Sequence, residues 1–356
     1  MNDTRPLRFH WSLSSVDASM QRVHRETTKS GVPDLDAHIA FCREAERCGI
    51  ESLLVAFGFA RPDPFLWSAT LGAHTKEINF LTAIRSGVSS PTYFVQQINT
   101  LSVLTGGRVF VNIVAGRTPE EHHFYGDFLS HDERYERTDE FWQICHALWR
   151  NDGPVDFAGR HYRVENAQVR TPFLAQTGNR PEIYSGGNSE QAIQLAIRHS
   201  DCLFTFPEAP KRLAERIRPV LDSGTRVGIV TSMIAKSTRD EAIAAAHGLI
   251  ERAGDRARDV QIDRRARLDS VGFKSMYELA ENDTAWVTPY LWAGAVPYLG
   301  ATAISLVGSA DDMINSIGEY RDAGVTDFLF AGFPDLEQMQ FFSAEILPRI
   351  REEEDI

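Results

Sequence analysis

Arg108-Val109-Phe110-Val111-Asn112-Ile113-Val114-Ala115-Gly116 is a nearly continuous apolar run of strand length. Apolar residues on both faces of the pleat mark a strand covered from both sides, as in a parallel sheet packed under helices. The same rhythm continues in both directions. Upstream, Leu7–Leu13, Glu51–Phe57 and Ile78–Ile84 read as strands. Between them lie a polar loop (14–33), a helix over about 34–47 and a helix over Asp63–His74. Pro91 then opens a helix with Phe94, Ile98, Leu101 and Leu104 near one face. Downstream, a long helix is predicted from about His131 to Arg150. Strands follow at Glu182–Ser185, Cys202–Phe206, Arg226–Ala235 and Asp327–Phe333, and a helix over Leu336–Ile350 closes the chain. Eight strands alternating with helices, with no linker between them, predict an α/β fold. A closed (β/α)8 TIM-type barrel spanning 1–356 as one domain fits better than a doubly wound open sheet. A chain of 356 residues is of the right length for such a barrel with an insertion.

Two stretches break the rhythm. Asn151–Arg180 is an excursion whose segment Asp156–Val164 reads as a surface hairpin. The second is an insertion after the seventh strand, Arg252–Thr302. It carries seven basic residues between Arg252 and Lys274, and then Trp286, Tyr290, Trp292 and Tyr298. Long segments at the carboxyl ends of barrel strands are commonly lids or binding loops. We therefore expect a lid with exposed aromatics, the alternative being a solvated helical excursion.

Composition narrows the partners. The formal net charge of −12 argues against nucleic acid and against an anionic membrane surface. With 43% hydrophobic and 24% charged residues, the chain reads as an ordinary globular protein. Cys42, Cys48, Cys145 and Cys202 have no CxxC spacing, so a reducing cytoplasm is expected. No signal peptide is visible over Met1 to Leu13, and no apolar run approaches the roughly 18 residues of a membrane span.

Two short segments carry chemistry. Ser130-His131-Asp132-Glu133-Arg134-Tyr135 contains an S-x-x-E capping box, which starts a helix and sets His131 and Tyr135 on one face. Free N–H groups and the positive end of the helix dipole make that an anion site. The plainer alternative is a surface histidine beside a half-buried tyrosine. Ser185-Gly186-Gly187-Asn188-Ser189 lies between a strand and a helix. Its glycines let backbone approach a ligand, and Asn188 or Ser189 can cap the helix while donating to a phosphate. A tight turn is the alternative reading. Two such seats suggest a phosphorylated cofactor, yet neither a GxGxxG nor a P-loop pattern is present. No HExxH, CxxC pair or GxSxG elbow appears, so neither a metal site nor a hydrolase elbow is expected. His122-His123 reads as a surface pair. No acid–base pair or nucleophile stands out and the catalytic residues stay unassigned, which fits an enzyme whose cofactor performs the chemistry.

Together these residues resemble a known family. Gly106-Gly107-Arg108 through Asn112 and Val114 to Gly116 is similar to the GGR-x-x-x-N-x-V-[ST]-G strand of bacterial-luciferase-like flavin-dependent monooxygenases. His131-Asp132-Glu133-Arg134-Tyr135 resembles that family's H-x-E-R-Y segment, and Gly186-Gly187-Asn188-Ser189 its GG-S-S phosphate turn. Arg85–Pro91, Asp269–Gly272, Leu291–Gly294 and Ala331–Glu337 look like the alkanesulfonate monooxygenase branch. The resemblance implies a barrel that binds FMNH2 and uses O2, through a peroxyflavin, to oxygenate a small-molecule substrate. It implies a separate NAD(P)H-dependent flavin reductase as partner, and a homo-oligomer is expected. By carry-over, Tyr135 and Ser189 contact the phosphate, with His131, Gly186, Gly187 and Asn188 nearby. Arg85 faces flavin or substrate, and the insertion is the mobile lid.

The departures concern the substrate. The sulfonate branch has an Arg-x-His in its seventh strand where this chain has Val230-Thr231-Ser232. A lid arginine falls at Leu299, an eighth-strand tyrosine at Phe333 and a cysteine at Arg61. Phe206 falls at an aromatic position of the family pocket, and Trp292 lies in the retained lid motif. Arg61, Phe206, Trp292 and Phe333 are thus the expected substrate-binding residues, and a simple alkanesulfonate is not the expected substrate. Two rivals stay open: a deazaflavin- or FMN-dependent dehydrogenase on the same barrel, and a non-catalytic flavin-binding protein.

Overall fold

The eight expected strands close on themselves. The computed structural model describes residues 5–13, 33–59, 61–114, 116, 118–175, 178–281, 284–333 and 335–354. The polar loop over 14–32 and the motif residues Ala115 and Pro334 lie outside the described residues. In chain order the strands are β1 (Arg8–Ser12), β2 (Ser52–Val55), β3 (Asn79–Ile84), β4 (Val109–Val114), β5 (Val155–Ala158) and β6 (Arg163–Ala167). They continue with β7 (Glu182–Gly186), β8 (Cys202–Thr205), β9 (Arg226–Ala235), β10 (Leu291–Trp292), β11 (Ser305–Gly308) and β12 (Asp327–Gly332). β1, β2, β3, β4, β7, β8, β9 and β12 form the ring, every neighbour parallel, with β12 returning to β1 in the register Arg8↔Asp327. β5 and β6 are the antiparallel hairpin of the excursion.

Two strands, β10 and β11, were not read from the sequence. β9 is ten residues long and outlasts β8, whose last pairing is Thr205↔Ile229. β11 pairs with the free remainder of β9, from Ser232↔Ser305 to Ala235↔Gly308, and carries the two-residue β10 on its other edge. A four-residue apolar run has no period of its own, so only this vacant edge decides its conformation.

Alternation along the strands sorts the ring's interior into layers. At the amino-terminal end, Arg8, Glu182, Arg226 and Asp327 form a charged floor. Arg8 Nη1 reaches Glu182 Oε1 at 2.5 Å, Arg226 Nε reaches Asp327 Oδ2 at 3.1 Å, and Arg226 also bonds Glu182. Above it Leu81, Tyr184, Cys202, Phe204 and Leu329 pack with Leu54, Phe110 and Val230. At the carboxyl-terminal end, the same alternation turns Ser12, Ala83, Asn112, Gly186 and Ala331 inward. Four of these five are very small, so side chains fill the barrel less at this end than below. A functional site is expected at that end.

The insertion is built on a helix, Arg239–Ala266, which is broken at Gly254 (φ 69°, ψ 173°). The helix Val271–Leu279 follows, and β10 then leads back toward β11. Among the described residues no helix is long and apolar enough to cross a membrane.

Candidate cofactor and substrate site

One wall of the mouth is a polar seat made by two helix starts. Ser189 caps the helix Glu190–His199, its Oγ accepting from Ala192 N at 3.2 Å. The capping box at Ser130 is present and starts the helix His131–Arg150, which places Tyr135 beside Ser189 with 3.5 Å between the two hydroxyls. Gly187 lies between them. A Cβ there would fall 3.4 Å from the Tyr135 hydroxyl and 2.5 Å from Ala192 Cβ, so the absence of a side chain keeps the cradle open. Burial pushes the Tyr135 hydroxyl above its usual pKa, so it remains a donor at neutral pH. Tyr135 also borders an outer cleft of about 650 Å3, but Asp132, Glu136, Asp139, Glu140 and Glu190 line that side and would repel a phosphate.

The other residues of the two motifs stand close by. The His131 and Tyr135 rings are 5.0 Å apart, and His131 Nδ1 lies 3.0 Å from Asp132 Oδ1. Asn188 Oδ1 accepts from Thr205 Oγ1 at 2.8 Å and from Phe206 N at 3.1 Å. That oxygen therefore ties the turn to the end of β8.

A second group of polar side chains gathers where β3 and β4 end. Arg85 is 5% exposed, with Nη2 2.9 Å from Glu121 Oε1 and its guanidinium 5.0 Å from the centroid of Phe57. Arg137 grips Asp127 with both terminal nitrogens, at 3.0 and 2.6 Å, and Asp127 lies 3.4 Å from His122 Nδ1. His122 is buried and His123 exposed, so the pair is not the surface feature expected from sequence. A side chain's burial is set here by a five-residue helix, Pro119–His123, too short to show a period. Gly116 makes room for the ring: its φ is 89°, and a Cβ there would lie 2.1 Å from His122 Nε2. Burial, and then the charges of Arg134 and Arg85, lower the His122 pKa to about 4 against the pull of Asp127, so the imidazole is neutral at pH 7. Arg61 stands at the same corner, a Cβ on Gly58 falling 3.7 Å from its Cδ and 3.5 Å from Glu121 Oε1.

The insertion meets the mouth on the β7–β8 side. Arg134 Nη2 bonds Asp269 Oδ2 at 2.6 Å, and Phe273 packs edge-on against Phe206 at 5.1 Å. Trp292 is 2% exposed, contrary to the expectation of exposed aromatics, in a cluster with Ile234, Ala246 and Val307, against which Phe333 packs. Among the described residues no group of three or more His, Cys, Asp or Glu is arranged to hold a metal.

Comparison with known proteins adds the following. The family model described as luciferase-like monooxygenase matches residues 8–327. A riboflavin lyase crystallised with modified FMN and riboflavin is 18% identical, with a TM-score of 0.72 over 98% of this chain and 92% of that one. The EDTA monooxygenase of Chelativorans sp. BNC1 is 19% identical, with a TM-score of 0.68 over 98% and 94%. An F420-dependent secondary alcohol dehydrogenase in complex with an F420-acetone adduct is 18% identical, with a TM-score of 0.66 over 98% and 100%. At such identities these structures share the fold with this chain.

Proposed function

The chain belongs to the luciferase-like monooxygenase family, and on that premise we propose that it is the oxygenase of a two-component, FMNH2-dependent monooxygenase. The observation that carries the reading is the paired seat of Tyr135 and Ser189 around Gly187, at the carboxyl-terminal end of the barrel. The residues present fit FMN: hydroxyl donors and a helix start suit its phosphate. Small side chains above the apolar layer leave space for a ring. Bound reduced FMN would supply the electrons that activate O2, while the protein binds, orients and excludes water. A separate NAD(P)H-dependent reductase would deliver the flavin.

The test is incubation with FMN, NADH, a flavin reductase and O2, following oxygen uptake and peroxide. FMNH2 binding at low-micromolar concentration with suppressed peroxide release is the expected result. A dehydrogenase on the same barrel is the second reading, favoured by the fold shared with an F420-dependent alcohol dehydrogenase. No affinity for FMN in either redox state, with binding of a deazaflavin, would decide for it. Rapid peroxide loss from bound FMNH2 would point to a flavin carrier.

The substrate we propose is a small, partly apolar molecule and not an alkanesulfonate. A buried sulfonate needs cationic or donor partners. Val230 packs into the apolar layer, and Ser232 Oγ already donates to Thr302 O at 2.8 Å. Arg61, Phe206, Trp292 and Phe333 remain the proposed substrate contacts. In a reductase-coupled assay, sulfite release from alkanesulfonates should stay at least tenfold below that of an alkanesulfonate monooxygenase run alongside. Release within tenfold would restore the sulfonate reading.

We also propose that Arg252–Thr302 acts as a lid within the single barrel domain. The helix break at Gly254 supplies a pivot, and the Arg134–Asp269 pair is the latch. Asp269→Ala should speed tryptic cutting between Arg252 and Lys274 several-fold, and FMN should slow it again. Cutting elsewhere first, or a rate indifferent to both changes, would refute the latch.

A further inference from the structure

On the β3–β4 side of the mouth a buried guanidinium has donors with nothing among the described residues to receive them. Arg85 follows β3 and continues its inward series after Leu81 and Ala83. Nη2 is engaged by Glu121 and the face of the group by Phe57. Nε and Nη1 are buried and have no acceptor among the described residues. On the neighbouring strand, Asn112 stands in register with Ala83, and its buried Oδ1 has no donor among the described residues. An unfilled buried donor or acceptor is costly, and more so when charged, so a ligand is expected to complete this corner.

The chemistry of that ligand follows from what is already there. Glu121, itself buried, compensates the Arg85 charge, so a compact anion such as a carboxylate would meet a carboxylate beside it. A larger ring whose negative charge is spread beyond its acceptor edge fits better. The position agrees. β4 separates β3 from β7, so Arg85 stands two strand spacings, about 10 Å, around the wall from the Gly186–Ser189 seat.

We propose that Arg85, backed by Glu121, receives the N1–C2=O edge of FMN, with the adjacent N3–H donating to Asn112 Oδ1, and so favours the reduced, anionic ring over the oxidised, neutral one. This rests on the flavin reading above. Charge placed near flavin N1 is a protein's means of tuning the ring's electronics. Arg85 supplies the positive charge and two directed donors, and Glu121 moderates it.

The experiment measures FMN dissociation constants aerobically and anaerobically, with the potential of the bound flavin, for the native protein and for Arg85→Gln, Arg85→Lys and Glu121→Gln. The native protein should bind reduced FMN at least tenfold more tightly than oxidised FMN. Arg85→Gln should cut that ratio about tenfold, which lowers the bound potential by about 30 mV for a two-electron couple. Arg85→Lys should keep part of the preference. Glu121→Gln should move the ratio the opposite way, a response that a merely structural pair would not give. If Arg85→Gln fails to fold, the sign of the Glu121→Gln shift decides. An unchanged ratio in the folded variants, or equal weakening of both redox states, overturns the inference. It would then fail alone, with flavin still bound at its seat. A native protein that binds FMN in neither state would overturn both this inference and the flavin reading.

Discussion

Asp327→Ala should lower the unfolding free energy by about 3–5 kcal/mol, the cost of removing one partner from a buried ionic group. Asp327 opens β12 at the barrel floor and is fully buried. Its carboxylate accepts from Thr326 Oγ1 at 2.7 Å and Arg226 Nε at 3.1 Å, lies 3.3 Å from His10 Nε2, and has Arg8 Nη1 at 4.0 Å. Without it, Arg226 and Arg8 must share Glu182, with Glu51 at the rim. The pH dependence follows from the same geometry. Burial acts to raise the Asp327 pKa, but the hydrogen bond from His10 and the charges of Arg226 and Arg8 outweigh it and hold the carboxyl well below its usual range. A depressed folded pKa gives stability that is fully present above the unfolded-chain value of about 4 and is lost as pH falls through the folded value. Urea unfolding between pH 7 and pH 2 checks both parts. The native protein should weaken steeply below about pH 4, and the variant should start lower and fall less. The exposed pair Arg163–Glu165 supplies the control, since its loss should cost under about 1 kcal/mol. An Asp327→Ala deficit of that same size would mean the floor is not a load on the fold.

How far the sequence discloses the molecule depends on whether a feature is local. The barrel strands are runs bounded by turn residues, so eight of them and their order can be read directly. The seat is legible for a similar reason: capping by Ser130 and Ser189 is decided within four residues of chain. The floor is not, because Arg8, Glu182, Arg226 and Asp327 come from four distant strands and meet only when the ring closes. The Arg85–Glu121 corner fails for the same reason, and His122 is hidden by its neighbour His123, which faces outward against Phe128. Trp292 shows the converse error. Aromatics in an inserted segment suggest exposure, yet Gly294 lets the chain turn close over the indole, where a Cβ would lie 2.4 Å from the ring.

Combining Tyr135→Phe with Ser189→Ala should weaken FMN binding by two orders of magnitude or more and leave riboflavin binding nearly unchanged. Each hydroxyl would donate to a charged phosphate oxygen, a contact worth about 1.5–3 kcal/mol, so each single variant should lose about tenfold to hundredfold. The hydroxyls are 3.5 Å apart, close enough to couple, so the double variant need not equal the product of the singles. Riboflavin carries the same ring and ribityl chain without the phosphate, which isolates the seat from the rest of the mouth. Ser189 has a second task as the cap of the helix Glu190–His199, and losing it should also cost about 1 kcal/mol of stability. Tyr135→Phe has no such side effect, because its hydroxyl makes no helix bond, and it is the cleaner probe. Asn188→Ala serves as a contrast. Its Oδ1 is held by Thr205 and Phe206, so its loss should disturb FMN and riboflavin alike through the end of β8. Anaerobic titration with reduced FMN and reduced riboflavin reads the native protein and all four variants on one scale. If Tyr135→Phe and Ser189→Ala weaken both ligands equally, or neither, the phosphate lies elsewhere and the seat is only a tight turn between strand and helix.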